Sequence, residues 1–302
     1  MEIRQLEVFV SVAKNLSFSK AAEELYISQP SVSAQIGSLE KELGSQLLTR
    51  NTKEVALTKA GARFLSNAQK ILSLRDRAVC EAAGEDKNAP GQIDVISSTI
   101  PAQHLLPEMI AGFRERWPNV VFRVEQADSR RAQNEMGTMR YDFGMIGTVP
   151  DAGRFASYPV FDDELALALP VGAEQDDDTI RKSFPEFIAR SPVIMRESGS
   201  GTRKEVEALL SGLGVDLREL RVPAYLPDAD CILRAVSQGI GVSLVPKVAA
   251  RMYVDAGLVR IVEMDDASFR RKIYLLHNKG LWLSPLQQAF VDHVRVPHQA
   301  GT

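Results

Sequence analysis

Apolar residues recur at spacings of three and four along the first eighty positions of the chain. Ile3, Leu6, Val10 and Ala13 share one face of a helix, with Phe9 beside them. Asn15 or Ser17 opens a second helix, whose apolar face is Ala21, Ala22 and Leu25. Tyr26 and Ile27 form a turn. Ser28 is a good N-cap, and Pro30 falls in the first turn of a third helix, where its missing N–H costs little. That helix repeats Val32, Ile36, Leu39 and Leu43 and ends at Gly44. Its opposite face holds Pro30, Ser33, Ala34, Gly37 and Lys41, flanked by Ser31 and Ser38. Small and polar residues there allow close approach to another body. Leu47 to Leu57 has the pattern of a two-stranded hairpin, with Arg50, Asn51, Thr52 and Lys53 at its tip. Thr58 caps a long helix reaching about Ala83. Its stripe is Phe64, Ala68, Ile71, Ala78 and Ala82, interrupted by Arg75. A one-sided stripe of this length needs a partner surface.

Gly84 to Gly91 is polar and contains Pro and Gly, which marks a domain boundary. Beyond it the periodicity alternates between two and 3.6. Strands are expected at Ile93–Ile96, Val120–Val124, Phe143–Ile146, Leu165–Leu169 and Val193–Met195. Further strands fall near Val222–Leu226, in the run ending at Pro246, at Val259–Glu263 and at Lys272–Leu276. Helices are expected over Leu105–Arg116, Ala132–Met139, Thr202–Leu213, Ala229–Gln238 and Ser284–Val294, with a loose tail from Pro297. Alternation of this kind argues for parallel sheets with crossover helices.

Two adjacent short helices with a tight turn, the second small and polar on its outer face, suit a helix-turn-helix. In that motif the second helix lies in the DNA major groove. The residues add a resemblance. Leu6, Phe9, Phe18, Ala21-Ala22, Leu25, Ser28-Gln29-Pro30, Ser33, Gln35-Ile36, Leu39-Glu40, Leu43-Gly44, Leu47, Arg50 and Leu57 through Gly61 stand in a long ordered set. Together they resemble the winged helix-turn-helix of the LysR-type transcriptional regulators. Gly137 through Gly144 and Ala235 through Gly241 resemble two fixed points of that family's effector domain. The resemblance implies an N-terminal all-α winged helix-turn-helix over 1–58 and a linker helix over 59–88 that pairs two subunits. It also implies a C-terminal α/β effector domain over 91–302, similar to periplasmic binding proteins. Lobe I would cover about 91–162 and 268–302, and lobe II about 163–267. The two loops discussed below resemble the branch that senses sulfur-containing metabolites. Double-stranded DNA, a small anionic effector, a second copy in a homodimer or homotetramer, and RNA polymerase are the implied partners, and no membrane is among them. One departure concerns Ala34, Gly37 and Ser38, small and neutral where the family often carries basic residues.

Charge adds little to this picture. The 302 residues carry a formal net charge of −3. Residues 1–88 hold 12 Lys and Arg against 11 Asp and Glu, so the remainder stands at −4. DNA contact must then rest on a few placed groups: Ser28, Gln29, Pro30, Ser31, Ser33, Ala34, Arg50 and Lys53. Two distant cysteines, Cys80 and Cys231, suit a reduced cytoplasmic protein. Four scattered histidines give no metal spacing, and neither metal nor cofactor is expected.

Ligands of open α/β sheets lie beyond the carboxyl ends of strands. Ser98 and Thr99 follow one strand, Ser129 follows another, and Ser200 and Thr202 open a helix after a third. Hydroxyls and free helix N–H groups favour an anion, and these five are the candidate effector ligands. Gln103 and His104 are weaker candidates. Phe64, Ala68, Ile71 and Ala82 are the candidate dimer contacts. The rival readings are an α/β enzyme or a solute-binding protein with a helical appendage. No G-x-S-x-G elbow stands at a strand end, and no His lies near a candidate nucleophile, so no enzyme activity is expected.

Overall fold

The computed structural model describes residues 1–51, 54–83, 90–138 and 140–295. The chain divides into two compact units. One holds Met1–Lys87 with Thr138–Arg140 and Lys279–Ala289, and the other holds the rest.

In the first unit, α1 (Ile3–Asn15), α2 (Phe18–Glu24) and α3 (Gln29–Leu43) precede a hairpin of β1 (Leu48–Asn51) and β2 (Glu54–Leu57), then α4 (Lys59–Ala83). Caps set the boundaries. The Ser17 hydroxyl accepts from the Lys20 N–H, and that of Ser28 from Ser31. Gly44 closes α3 at φ 61°, and the Thr58 hydroxyl accepts from the Gly61 N–H at 2.9 Å. Leu6, Phe9, Val12, Ala21, Val32, Ile36, Leu39, Leu48, Leu65 and Ala68 form one closed core. Arg75 breaks the stripe of α4 because its guanidinium pairs with Glu7 on α1.

The second unit contains β3 (Gly91–Ser98), α5 (Thr99–His104), α6 (Leu106–Arg116), β4 (Val120–Ala127), α7 (Ser129–Met136), β5 (Phe143–Ile146) and β6 (Phe155–Pro170). Then come α8 (Asp177–Lys182), α9 (Phe184–Arg190), β7 (Met195–Arg196), α10 (Gly201–Gly212), β8 (Tyr225–Leu226), α11 (Ala229–Ser237) and β9 (Ser243–Pro246). The chain ends with α12 (Lys247–Asp255), β10 (Val259–Glu263), β11 (Arg270–Asn278) and α13 (Pro285–Arg295). The sheet order is β10-β6-β11-β5-β3-β4, with β9 also on β6.

The sheet is mixed rather than parallel. β3 runs parallel to β4 and β5, but β11 is antiparallel to β5 and β6, and β6 to β9 and β10. The reason is the path of the chain. β6 is 16 residues long and pairs with β11 over Phe155–Glu164, then with β9 and β10 over Leu165–Pro170. It leaves one lobe and enters the next, and the chain returns along β11. Each lobe has its own apolar interior: Ile96, Ala132, Met136, Phe155 and Leu276 in the first, and Leu167, Ile188, Leu210, Leu244 and Phe269 in the second. Ile100 of α5 packs instead among Ile194, Ile232, Leu233 and Val245 of the second lobe.

Candidate functional site

Two regions carry the candidate residues. On α3 the helix start is open to solvent. Gln29, Pro30, Ser31 and Ala34 are exposed, and Ser33 is half-buried. The Gln29 side-chain amide donates to the Ser33 hydroxyl at 3.2 Å. Ser28 is engaged in capping: its hydroxyl accepts from the Ser31 N–H and lies 2.8 Å from the Ser31 hydroxyl. Gly37 faces open space, with nothing within 4 Å of where a Cβ would stand. Arg50 belongs to β1 opposite Val55. Its side chain, like all of Lys53, lies outside the described residues. One residue without a signal in the sequence stands out here. Tyr26, in the turn before α3, is 95 % exposed at φ 54°. A bulky residue in that backbone region is uncommon, whereas the sequence reads it as an ordinary turn residue.

The stripe on α4 needs correction. Ala68 has no exposed surface and belongs to the core of its own unit, so it offers nothing to a partner. Phe64 is half-buried, with its ring 5.3 Å from that of Phe9. The unpartnered apolar stripe starts later: Ile71 and Leu74 are exposed at 38 % and 64 %, and Ala78 and Ala82 continue it. Leu74 lies one turn after Ile71 and is the member that the spacing of the stripe omits.

In the second unit, Ser98, Thr99, Ser129, Ser200 and Thr202 line one cleft. All five are buried. They arrive there because each sits where a strand gives way to a helix. Ser98 precedes α5, Ser129 begins α7, and Ser200 caps α10 by accepting from the Arg203 N–H. The two loops touch through glycine. A Cβ at Gly201 would stand 2.6 Å from the Ser129 hydroxyl and 2.8 Å from the Thr148 methyl. Gly199, at φ 101°, faces the Asp128 carboxylate, and that carboxylate accepts from the N–H groups of Arg130 and Arg131. The free volume among the five hydroxyl residues is about 10 Å³, the room one water needs.

The cleft also holds two arginines that sequence reasoning missed. Arg196 ends β7, and its guanidinium pairs with Glu197 at 2.8 and 3.0 Å. Arg271 on β11 donates to the Thr202 hydroxyl at 3.1 Å, to Glu205 at 2.7 Å and to Asp163 on β6 at 2.7 Å. One guanidinium thus ties both crossing strands to α10. Burial pushes the Glu205 carboxyl above the usual range, and Arg271 only partly offsets it. Arg203 points along its helix to Glu207 at 2.7 Å and lies over the Tyr225 ring. Gln103 and His104 are not in the cleft lining. Gln103 donates to Gln126 at 3.4 Å. Burial holds the His104 imidazole below its ordinary range, against the opposing fields of Asp163 and Asp230.

Among the described residues no helix is long and apolar enough to cross a membrane. Comparison with known proteins matches residues 3–62 to the bacterial regulatory helix-turn-helix protein family of the lysR type. Residues 87–296 match the LysR substrate binding domain. The chain is 32 % identical over 278 residues to an uncharacterised HTH-type transcriptional regulator of Methanocaldococcus jannaschii, covering 92 % of this chain and 93 % of that one. It is 30 % identical to a probable RuBisCO transcriptional regulator of Nostoc, covering 96 % and 86 %. In fold it is similar to a full-length OxyR variant from Pseudomonas aeruginosa, at TM-score 0.78 and 20 % identity, covering 99 % of this chain and 96 % of that one. It is also similar in fold to CbnR in complex with its target DNA, at TM-score 0.55 and 24 % identity, covering 98 % and 99 %. With both halves matched in their expected order, the chain belongs to the LysR family and is a helix-turn-helix transcriptional regulator with an α/β effector-binding domain.

Proposed function

We propose that this regulator reads DNA through the exposed start of α3 and is switched by a small anionic effector held between the two lobes. The observation that carries the effector reading is the convergence of five hydroxyl side chains, from three strand-to-helix turns, in one cleft. Hydroxyls and helix-start N–H groups suit a compact oxyanion or a carboxylate. The effector ligands are Ser98, Thr99, Ser129, Ser200 and Thr202. Arg196 and Arg271 stand behind them with their charge balanced by carboxylates.

Gln29 and Ser33 read base edges. Pro30 and Ala34 allow close approach, Ser28 and Ser31 hold the helix start, and Arg50 and Lys53 meet phosphate or the minor groove. The domain bounds are those of the sequence reading, 1–58, 59–88 and 91–302. Pairing runs along Ile71, Leu74, Ala78 and Ala82 of α4 and gives a dimer, and a second contact between effector domains gives a tetramer. RNA polymerase is the further partner, and the protein works in the cytoplasm. Loop composition supports a sulfur-metabolite effector. The likeness to probable RuBisCO transcriptional regulators equally supports a role in regulating RuBisCO.

Calorimetry of the full chain with sulfate, thiosulfate, O-acetylserine and small carboxylates tests the cleft. Thr99→Val and Thr202→Val should each weaken whichever ligand binds. Equal binding by both variants places the site elsewhere.

A further inference from the structure

We infer that the state of the cleft reaches the linker helix α4 along β11, and that Ser73 is the positioning residue that receives it. That an effector is the source of this signal rests on the reading of the cleft given above. Helix α4 has three faces. Ala68 lies in the core of the first unit, and Ile71 begins the exposed stripe. At about 100° per residue, Ser73 stands roughly 140° from the one and roughly 160° from the other. Its hydroxyl closes on both backbone groups of Trp282. It accepts from the N–H at 3.1 Å and donates to the carbonyl at 3.4 Å, across 209 positions of sequence. Backbone groups in irregular structure need partners, and here one side chain of α4 serves both. Lys70 lies on the same side of α4. A Cβ at Gly280, which has φ 79°, would stand 3.8 Å from the end of the lysine stem.

The loop that Ser73 holds is the direct continuation of β11. Lys279–Ala289 belongs with the first unit, whereas Asn278, the last residue of β11, belongs with the second. The other end of the strand is in the cleft, where Arg271 grips Thr202 and Glu205 of α10. From Arg271 to Asn278 is about 23 Å at the usual rise of a strand. β11 is paired with β6 along its whole length and with β5 over residues 274–276. Bonded on both sides, it has little freedom to bend and shifts as a bar. Helix α7 follows a similar course. Ser129 at its start lines the cleft, and just beyond its last residue, Met136, Thr138–Arg140 belongs with the first unit. The buried Asn278 amide donates to the Met136 carbonyl at 2.8 Å and ties the two elements where they leave the second unit. Any shift of α10 that Arg271 follows is thus delivered to α4 through Ser73. Coupling of this kind is reciprocal, so DNA on the first unit must be felt in the cleft.

The test uses that reciprocity on the full chain, with a genomic duplex selected by gel shift and hydrogen exchange read by mass spectrometry. In the wild type, DNA should change exchange over residues 270–274 and 129–132 by about fivefold or more, the lower end of ordinary coupling between sites. Ser73→Ala should remove most of that change. So should Gly280→Val, which puts a branched side chain at a backbone angle that suits glycine. Ser73→Thr keeps the hydroxyl and should keep the change, which a contact that serves only stability does not require. Circular dichroism and light scattering confirm that the Ser73 variants fold and assemble as the wild type does. If DNA leaves exchange in the cleft unaltered in the wild type, or if Ser73→Ala responds as the wild type does, the inference falls. The reading of the cleft is judged separately, by the calorimetry with Thr202→Val. Its failure with the coupling intact leaves β11 as the path and removes only the effector as the source.

Discussion

The recognition helix and the effector cleft reach their chemistry by opposite routes. The candidate DNA contacts of α3 lie within seven consecutive residues, Ser28 to Ala34, and most of them are exposed. The five candidate effector ligands span more than a hundred positions, and all are buried. A site on one helix needs only that the helix form. A site between lobes needs β6, β11 and three helix starts to be in register together. The first should therefore tolerate damage to the second, and each can be broken separately.

The largest effect is expected at α4. Ile71→Asp or Leu74→Asp puts an uncompensated charge into the proposed pairing surface, at about 3–5 kcal/mol for a fully buried charge. Light scattering should show monomers, and operator affinity should drop while effector binding by calorimetry holds. A dimer that survives both variants would place pairing on another face. Next comes Gly201→Val. Its Cβ would overlap the Ser129 hydroxyl across the cleft, and overpacking of this kind costs about 1–3 kcal/mol. The lobes should be wedged apart, so that the effector response fades while ligand-free DNA binding persists. Loss of DNA binding in this variant would show that the two sites are not separable.

Gln29→Ala and Ser33→Ala should each weaken specific binding by roughly 1–3 kcal/mol per lost base contact, measured by fluorescence anisotropy against scrambled DNA. Arg50→Ala should lower specific and non-specific affinity together and flatten the salt dependence; unchanged slopes would remove Arg50 from the interface. The smallest effect concerns His104. Its folded imidazole binds a proton less readily than in the unfolded chain. The stability it contributes is present above the ordinary imidazole range and is lost as pH falls through that range toward its lowered value. Asp163 and Asp230 face it and temper the shift. His104→Gln should flatten that part of the thermal-stability profile, and an unchanged slope would assign it to His277, which burial also holds low.

The same contrast governs what the sequence makes visible. Helices α1 to α4 follow from local spacing and caps, and Ser17, Ser28, Gly44 and Thr58 all act where the pattern puts them. The strand-end rule finds the five hydroxyls because helix starts are local too. It does not find Arg196 or Arg271, which lie within strands whose partners come from elsewhere in the chain. Helix α12 is hidden because Pro246 reads as a terminator, yet it is the residue from which that helix starts. Helix α8 has a usable signal in Asp176, whose carboxylate accepts from the Thr179 N–H at 2.9 Å. Among the first ten residues of β6 only Phe155, Val160 and Asp163 are buried, and the segment lacks the apolar run that marks Leu165–Leu169. Ala68 misleads for a related reason: periodicity shows that a helix has an apolar face, but not whether its own domain already covers it.

The place of β11 in the sheet also sets an order of events during synthesis. This strand comes from residues 270–278, yet it lies in the middle, between β6 and β5. The sheet cannot close until those residues have left the ribosome. The apolar core of the helix-turn-helix, Leu6 to Ala68, is drawn wholly from residues that precede Ala83. At roughly 5–20 residues per second, the DNA-reading half of a nascent chain precedes its sensing half by about 10–40 s. Each new molecule therefore passes through an interval in which it has a folded reading head and no means of hearing the metabolite that governs it.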